Sequence, residues 1–287
     1  GDLHPYLAGL DSNVRRGQAV ARTALEIKKS GFEPDVICVH SGWGEGLYLK
    51  DIFPDSQMLV FCEFYYNAEG SDVAFGSREP VPLDKRLLTR TRNMTQLLSM
   101  AGGDWGISPT QWQRAQYPAM IKERISVLHD GIDTDVVRPD PAARCTLATG
   151  ARLKAGDEVV TFVNRNLEPY RGFHIFTRAM PLIQKLRPNA HIVIVGEDGV
   201  SYGAPPPKGI TFREMFMKEV QDKLDLSKVH FLGRVPYEHF VTLLQISAVH
   251  VYLTYPFVLS WSMMEAMAAG CLVIGSKTPP VEEVIRH

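Results

Sequence analysis

Apolar positions along this chain fall into two kinds of block. Short runs of apolar, often β-branched residues end at turn residues, and they alternate with longer segments whose apolar residues recur at helical spacing. In the first half the spacing predicts a helix over Ser12–Ser30, with Ala, Leu and Ile on one face and Arg and Lys on the other. It predicts strands at Val36–Val39, Met58–Cys62, Trp105–Ile107 and Ile125–Leu128, a long basic helix over Asp84–Met100, and a helix opened by proline over Pro109–Tyr117. From His129 to Asp157 the periodicity is lost and Pro, Gly and Asp cluster, which reads as an interdomain linker. The second half alternates more cleanly. Strands are expected at Val159–Val163, Ala190–Val195, Val229–Leu232, His250–Leu253 and Leu272–Gly275; helices at Gly172–Leu186, Thr211–Leu224, Tyr237–Gln245, Ser262–Ala269 and Pro280–Arg286. Strands alternating with helices mean βαβ units and parallel sheets. The expected fold is α/β, with two Rossmann-like domains, residues 1–135 and 136–287, facing a cleft. Ligands of such sheets bind at the carboxyl ends of the strands. The chain opens on a loop and helix and stops in the middle of a βα alternation, so both domains are read as incomplete.

At 287 residues the chain exceeds the usual size of a single core. Its 45% apolar and 22% charged content is that of a globular protein. A net charge of −1 offers no broad basic field, so nucleic acid is not an expected partner. Cys38, Cys62, Cys145 and Cys271 are far apart and form no C-x-x-C pair. They read as buried free thiols in a reducing cytoplasm. No apolar run approaches the roughly 20 residues of a membrane span, and the opening GDLHPYLAGLD does not read as a signal peptide. The histidines show no metal-ligand spacing. Asp133-Thr-Asp135 is formally a D-x-D, but among turn formers it reads as a turn, so no metal is expected. Gly196-Glu-Asp-Gly199 lacks the spacing of a nicotinamide fingerprint.

The stretch Ala248–Ser276 carries the most chemistry: strand, polar-aromatic loop, short helix, glycine, strand. Ser262 stands three residues before Glu265, the spacing of a capping box, and Gly270 ends the helix. A helix N-terminus at the end of a parallel strand collects unpaired N–H groups and suits a phosphate. A nucleotide or sugar phosphate is therefore the expected ligand.

Four second-half segments resemble the nucleotide-sugar domain of the group-one (family 4) retaining glycosyltransferases of the GT-B fold. They are Val163-Asn-Arg-Asn-Leu-Glu-Pro-Tyr-Arg-Gly172, His191-Ile-Val-Ile-Val-Gly196, Val229-His-Phe-Leu-Gly-Arg234 and Met264-Glu-Ala-Met-Ala-Ala-Gly-Cys-Leu-Val-Ile-Gly-Ser276. In the first half, Ile107-Ser-Pro-Thr and His129-Asp-Gly-Ile-Asp-Thr-Asp are similar to the same family. The resemblance implies transfer of a sugar from a nucleoside-diphosphate sugar to an acceptor hydroxyl, with retention, no cofactor and no obligatory metal. It implies that Arg165 and Arg171 grip the diphosphate, and that Glu265 holds the ribose. Gly233 and Arg234 would meet the base, Gly196 would let backbone approach the ligand, and Ser260 and Ser262 would lie at the donor. Arg171 stands where the family usually has Lys. His40 and Glu63 are expected on the acceptor side, Glu63 where the family often has His. Phe257 occupies the position of a second family Glu. The acceptor is expected to be a glycan or lipid-linked molecule, with peripheral membrane contact through the basic residues of 84–100 and a cytoplasmic location at the inner membrane face. The rival readings are a catalytically inactive nucleotide-sugar-binding subunit, and a sugar phosphorylase or epimerase on the same fold.

Overall fold

A computed structural model describes residues 3–77 and 79–285. It divides into two compact units: Gly1–Asp130 with Pro256–Val258 and Glu282–His287, and Gly131–Tyr255 with Leu259–Val281.

The first unit runs α1 (Ala8–Lys29), β1 (Val36–His40), α2 (Leu49–Ile52), β2 (Gln57–Phe61), α3 (Leu83–Arg92), α4 (Met94–Gly102), β3 (Trp105–Ser108), α5 (Gln111–Ala115), α6 (Ala119–Lys122) and β4 (Ile125–Val127). Its four strands form a parallel sheet in the order β1-β2-β3-β4. Val39, Met58, Val60, Cys62, Met100 and Ile125 fill its core. The single helix expected over Asp84–Met100 is two helices. Asn93 separates them, because its buried side chain accepts from the Tyr66 N–H at 2.9 Å and donates to the Tyr66 carbonyl at 2.8 Å. An asparagine that bonds loop backbone in this way competes with a continuing helix.

The second unit opens with β5 (Arg144–Thr146) and β6 (Arg152–Lys154), an antiparallel hairpin inside the segment expected to be a linker. Leu147 and Leu153 are buried beside Val137, Leu243 and Leu244, so this segment belongs to the core. Then follow β7 (Val159–Asn166), α7 (Phe173–Leu186), β8 (His191–Glu197), α8 (Phe212–Met217), β9 (Val229–Phe231), α9 (Tyr237–Ile246), β10 (Val249–Tyr252), α10 (Trp261–Ala268), β11 (Leu272–Gly275) and α11 (Pro279–Glu282). The helix expected over Thr211–Leu224 reduces to α8 and a separate 3₁₀ turn at Gln221–Lys223. Buried Val220 leaves helical geometry to join the core between them. The end of the helix expected at Arg286 lies outside the described residues.

The second sheet is parallel with the order β11-β10-β7-β8-β9. Its middle strands are covered on both faces and read as near-continuous apolar runs, which is why β8 is buried from Ile192 to Gly196. Phe162 stacks on Phe176 at 4.6 Å beneath α7; full burial of one such ring stabilises by about 1.5–3 kcal/mol. The chain proceeds one way from β7 through β8 to β9, then returns to the other side of β7 for β10 and β11. The sheet therefore has a topological switch point between β7 and β10, and a crevice forms outside the strand ends at such a point.

Candidate active site

The turn that leaves β7 lies at this switch point. It consists of Glu168, a 3₁₀ turn over Pro169–Arg171, and Gly172 at φ 73°. A Cβ at Gly172 would stand 2.2 Å from the Leu253 Cβ, so only glycine lets the turn close against the end of β10. The closure buries Arg171, whose Nη1 donates to Tyr252 Oη at 3.2 Å and Thr254 Oγ1 at 3.1 Å. Its guanidinium also lies 5.5 Å from the centre of the Tyr202 ring. Tyr252 Oη accepts a second bond, from the Ser260 N–H at 2.8 Å. One phenol thus ties a guanidinium to the residue that opens α10.

Ser260 is the N-cap of α10, and its Oγ accepts from the Ser262 N–H. The expected capping box from Ser262 to Glu265 does not form. The Glu265 carboxylate instead accepts from Tyr237 Oη on α9 at 2.9 Å. Burial pushes the Glu265 carboxyl up from its ordinary value while this bond pulls it down, and burial together with the same bond pushes the Tyr237 phenol up to about 12. α10 ends as expected. Gly270, at φ 87°, allows the Cys271 N–H to reach the Ala266 carbonyl and its own N–H the Met267 carbonyl.

Arg165, at the end of β7, is exposed. Between it and Arg171 lies Glu168, a group that the sequence reasoning missed although it stands three residues from each arginine. Glu168 is 1% exposed and accepts from the Ser201 and Tyr202 N–H groups at 2.9 and 3.0 Å. Burial raises its carboxyl, while these two N–H groups and the two guanidiniums pull it down. It pins the loop after β8 to the turn after β7. Gly196, at φ 153°, has a reason internal to the fold: a Cβ there would meet Leu167 Cδ2 at 2.8 Å and the Asn164 carbonyl at 2.9 Å. Its N–H donates to the Gly233 carbonyl at 3.0 Å, and Arg234 follows, exposed.

His40 and Glu63 belong to the first unit, at the carboxyl ends of the adjacent strands β1 and β2. The Gly42 N–H donates to His40 Nδ1 at 3.1 Å, so the ring proton sits on Nε2 and donates to the Glu63 carboxylate, also at 3.1 Å. Gln113 Nε2 donates to the Glu63 carbonyl at 2.6 Å. Phe257 is buried, its ring 4.7 Å from that of Phe64, so an apolar contact replaces the carboxylate that the resemblance places there. Asp133 Oδ1 accepts from the Asp135 and Val136 N–H groups, the geometry of a turn. The four thiols are free, but only Cys62 is buried; Cys38 is exposed and Cys145 and Cys271 are half-buried where burial was expected. Among the described residues no helix is long and apolar enough to cross a membrane.

Residues 1–137 match the model of a glycosyl transferase family 4 group, and residues 149–287 that of the glycosyl transferases group 1. Over 95 residues the chain is 32% identical to D-inositol 3-phosphate glycosyltransferase of Segniliparus rotundus, a match covering 33% of this chain and 20% of that protein. A sucrose-phosphate synthase from Thermosynechococcus elongatus superposes with a TM-score of 0.68 at 20% identity, over 94% of this chain and 62% of that one. The catalytic domain of starch synthase IV from Arabidopsis thaliana, bound to ADP and acarbose, gives 0.63 at 17% identity, over 96% and 63%. A UDP-forming trehalose-phosphate synthase from Burkholderia xenovorans gives 0.58 at 14%, over 92% and 63%. The chain thus spans less than two thirds of each of these relatives. With both halves matched in order and the parallel-sheet architecture shared, the chain belongs to the group 1, family 4 glycosyltransferases of the GT-B fold.

Proposed function

We propose that the protein transfers a hexosyl group from a nucleoside-diphosphate sugar to an acceptor hydroxyl, with retention and without an obligatory metal. The observation that carries this reading is Arg171, buried at the switch point, with its guanidinium tied through Tyr252 Oη to the start of α10. As the glycosidic bond breaks, the departing diphosphate gains negative charge. A pre-positioned guanidinium and the N–H groups at a helix N-terminus stabilise that charge without having to reorganise. Arg165 adds a second, exposed cation. In this reading Glu265 accepts from the ribose hydroxyls, Gly233 and Arg234 meet the base, Gly196 lets the chain pass close to the ligand, and the hydroxyls of Ser260 and Ser262 lie at the donor. Residues 136–287 form the donor domain and 1–135 the acceptor domain. The ADP and UDP of the fold relatives are the chemistry this site suits. On the acceptor side, Glu63 takes the hydrogen bond of the incoming hydroxyl and His40 fixes its carboxylate. The acceptor is a glycan or lipid-linked molecule, the basic face of α3 approaching an anionic lipid surface. Four free thiols fit a cytoplasmic location.

A thermal-shift series with ADP, GDP and UDP tests the reading. A ligand at about 100 times its Kd stabilises by about 2.7 kcal/mol, which for a protein of this size is a rise of roughly 5 °C or more. At least one diphosphate is expected to give this rise, and Arg171→Ala to remove it. No shift with any of the three would refute donor binding. Transfer that persists in EDTA, with an unchanged anomeric configuration by proton NMR, tests the finer points.

A further inference from the structure

Alternate residues of the turn after β7 dock the loop after β8. Asn166 Nδ2 donates to Ser201 Oγ at 2.7 Å, and the Glu168 carboxylate accepts from the Ser201 and Tyr202 N–H groups. The Tyr170 ring packs on that of Tyr202, with centroids 5.7 Å apart, and on that of Tyr255 at 4.9 Å. Tyr202 ends this row of rings, and the Arg171 guanidinium stands over it. We infer that Tyr202 is a positioning residue, whose ring sets the plane in which the Arg171 guanidinium meets a phosphate. The inference rests on the transferase reading and extends it to a residue that acts through Arg171.

Three features support this role. First, a guanidinium carries its N–H donors in its own plane, in a fork that matches phosphate oxygens. Tyr252 Oη and Thr254 Oγ1 hold it at Nη1 alone. A carboxylate beside it would neutralise the charge and take up further donors. An aromatic ring attracts the cation through its quadrupole and does neither. Second, Tyr202 is fixed before any ligand arrives. Its backbone N–H is bonded to Glu168, which is buried, and a buried carboxylate keeps its partners because losing them is costly. Third, the chain turns directly beyond it. Gly203 has a φ of 79°, and a Cβ there would stand 3.3 Å from the Tyr170 ring, so the loop leaves at once and the Tyr202 ring stays packed between Tyr170 and Arg171. A guanidinium held in this way has less freedom to lose when a diphosphate binds, and that difference appears as affinity.

A double-mutant cycle on the whole chain tests the inference, read by the Kd of whichever of ADP, GDP and UDP the parent binds. Tyr202→Ala is expected to raise this Kd by roughly five- to tenfold. Tyr202→Phe keeps the ring and is expected to stay within about twofold of the parent. In an Arg171→Lys background, Tyr202→Ala is expected to cost less than about twofold, because an ammonium has no plane to set. A residue that merely held the loop would cost the same in both backgrounds. Melting temperature is the folding control. The Arg171 Nε–Hε resonance, assigned by its absence from Arg171→Lys, reads the contact without nucleotide. The ring current of Tyr202 is expected to displace it in the parent and in Tyr202→Phe, and Tyr202→Ala to return it to the ordinary arginine position. The inference is overturned if Tyr202→Ala leaves the resonance where it was, if Tyr202→Phe behaves as Tyr202→Ala does, or if the two backgrounds show equal costs. Failure of the parent to bind any diphosphate, with the resonance displaced as expected, refutes the donor reading. Binding with an undisplaced resonance refutes this inference alone.

Discussion

Replacing Arg171 by alanine removes the group at the centre of the proposed donor site. Two unit charges about 4 Å apart at an effective dielectric constant of about 20 interact by about 4 kcal/mol. Loss of one pre-organised donor to a developing oxyanion costs about 2.7–4 kcal/mol. Both routes give a fall of roughly 10² to 10³ in kcat/KM. The same change removes charged hydrogen bonds to Tyr252 Oη and Thr254 Oγ1 and takes a cation from buried Glu168, so some stability is lost too. Two further variants separate these effects. Arg171→Lys keeps the charge and is expected to lose less than about tenfold. Thr254→Val keeps the guanidinium but removes one of its partners, and is expected to cost about 1–2 kcal/mol of stability with little loss of turnover. The assays are initial-rate transfer, diphosphate binding and urea unfolding on all three. Alanine and lysine variants of equal activity would show that charge at this position is not what the reaction uses, and unchanged diphosphate binding by Arg171→Ala would refute the placement of the phosphate.

Further consequences follow from the same structure. Gly172→Ala forces a side chain onto a φ of 73° and into Leu253, and is expected to lower stability by roughly 3 kcal/mol in a denaturant melt. His250 is buried and neutral, its pKa pushed down to about 4 by burial against an ordinary 6.5. The unfolded chain therefore binds this proton first, and stability is lost as pH falls from 6.5 towards 4, by about 3 kcal/mol for this group. His174 and His230 are also lowered and act in the same sense, so His250→Leu is expected to reduce the acid slope of the urea midpoint without abolishing it. Glu168→Ala removes the acceptor of the Ser201 and Tyr202 N–H groups, and hydrogen exchange at those two amides is expected to speed up by at least tenfold while β7 and β8 stay protected.

Where a contact lies within a few residues along the chain, its pattern is legible in the amino-acid order itself. Gly270 closes α10 because the last turn needs a residue free to adopt a left-handed backbone, and that need is local. The continuous apolar run Ile192–Val195 of β8 likewise declares a strand covered on both faces. Capping marks the limit of local reading. Thr211 and Glu214 share the spacing of Ser262 and Glu265, and the first pair closes a capping box. The second does not, because the chain starts α10 two residues earlier, with Ser260 as its N-cap, and Tyr237, 28 residues away along the chain, takes the carboxylate. Asn93 breaks a helix for a similar reason, since its partner is loop backbone 27 residues away.

The residues themselves declared a doubly repeated βα chain, the strand-end positions of Arg165 and Arg171, the helix ending at Gly270, and the family to which these segments belong. Only the tertiary structure decided that β10 lies beside β7, and with it that Arg171 reaches hydroxyls 81 and 83 residues further along the chain. It alone revealed buried Glu168, the hairpin within the linker, and the Tyr202 ring against the Arg171 guanidinium. The physical reason is that propensity and periodicity act between near neighbours on the chain. Burial and hydrogen-bond partnership depend on the order in which strands join a sheet, and that order is settled by the free energy of the whole core.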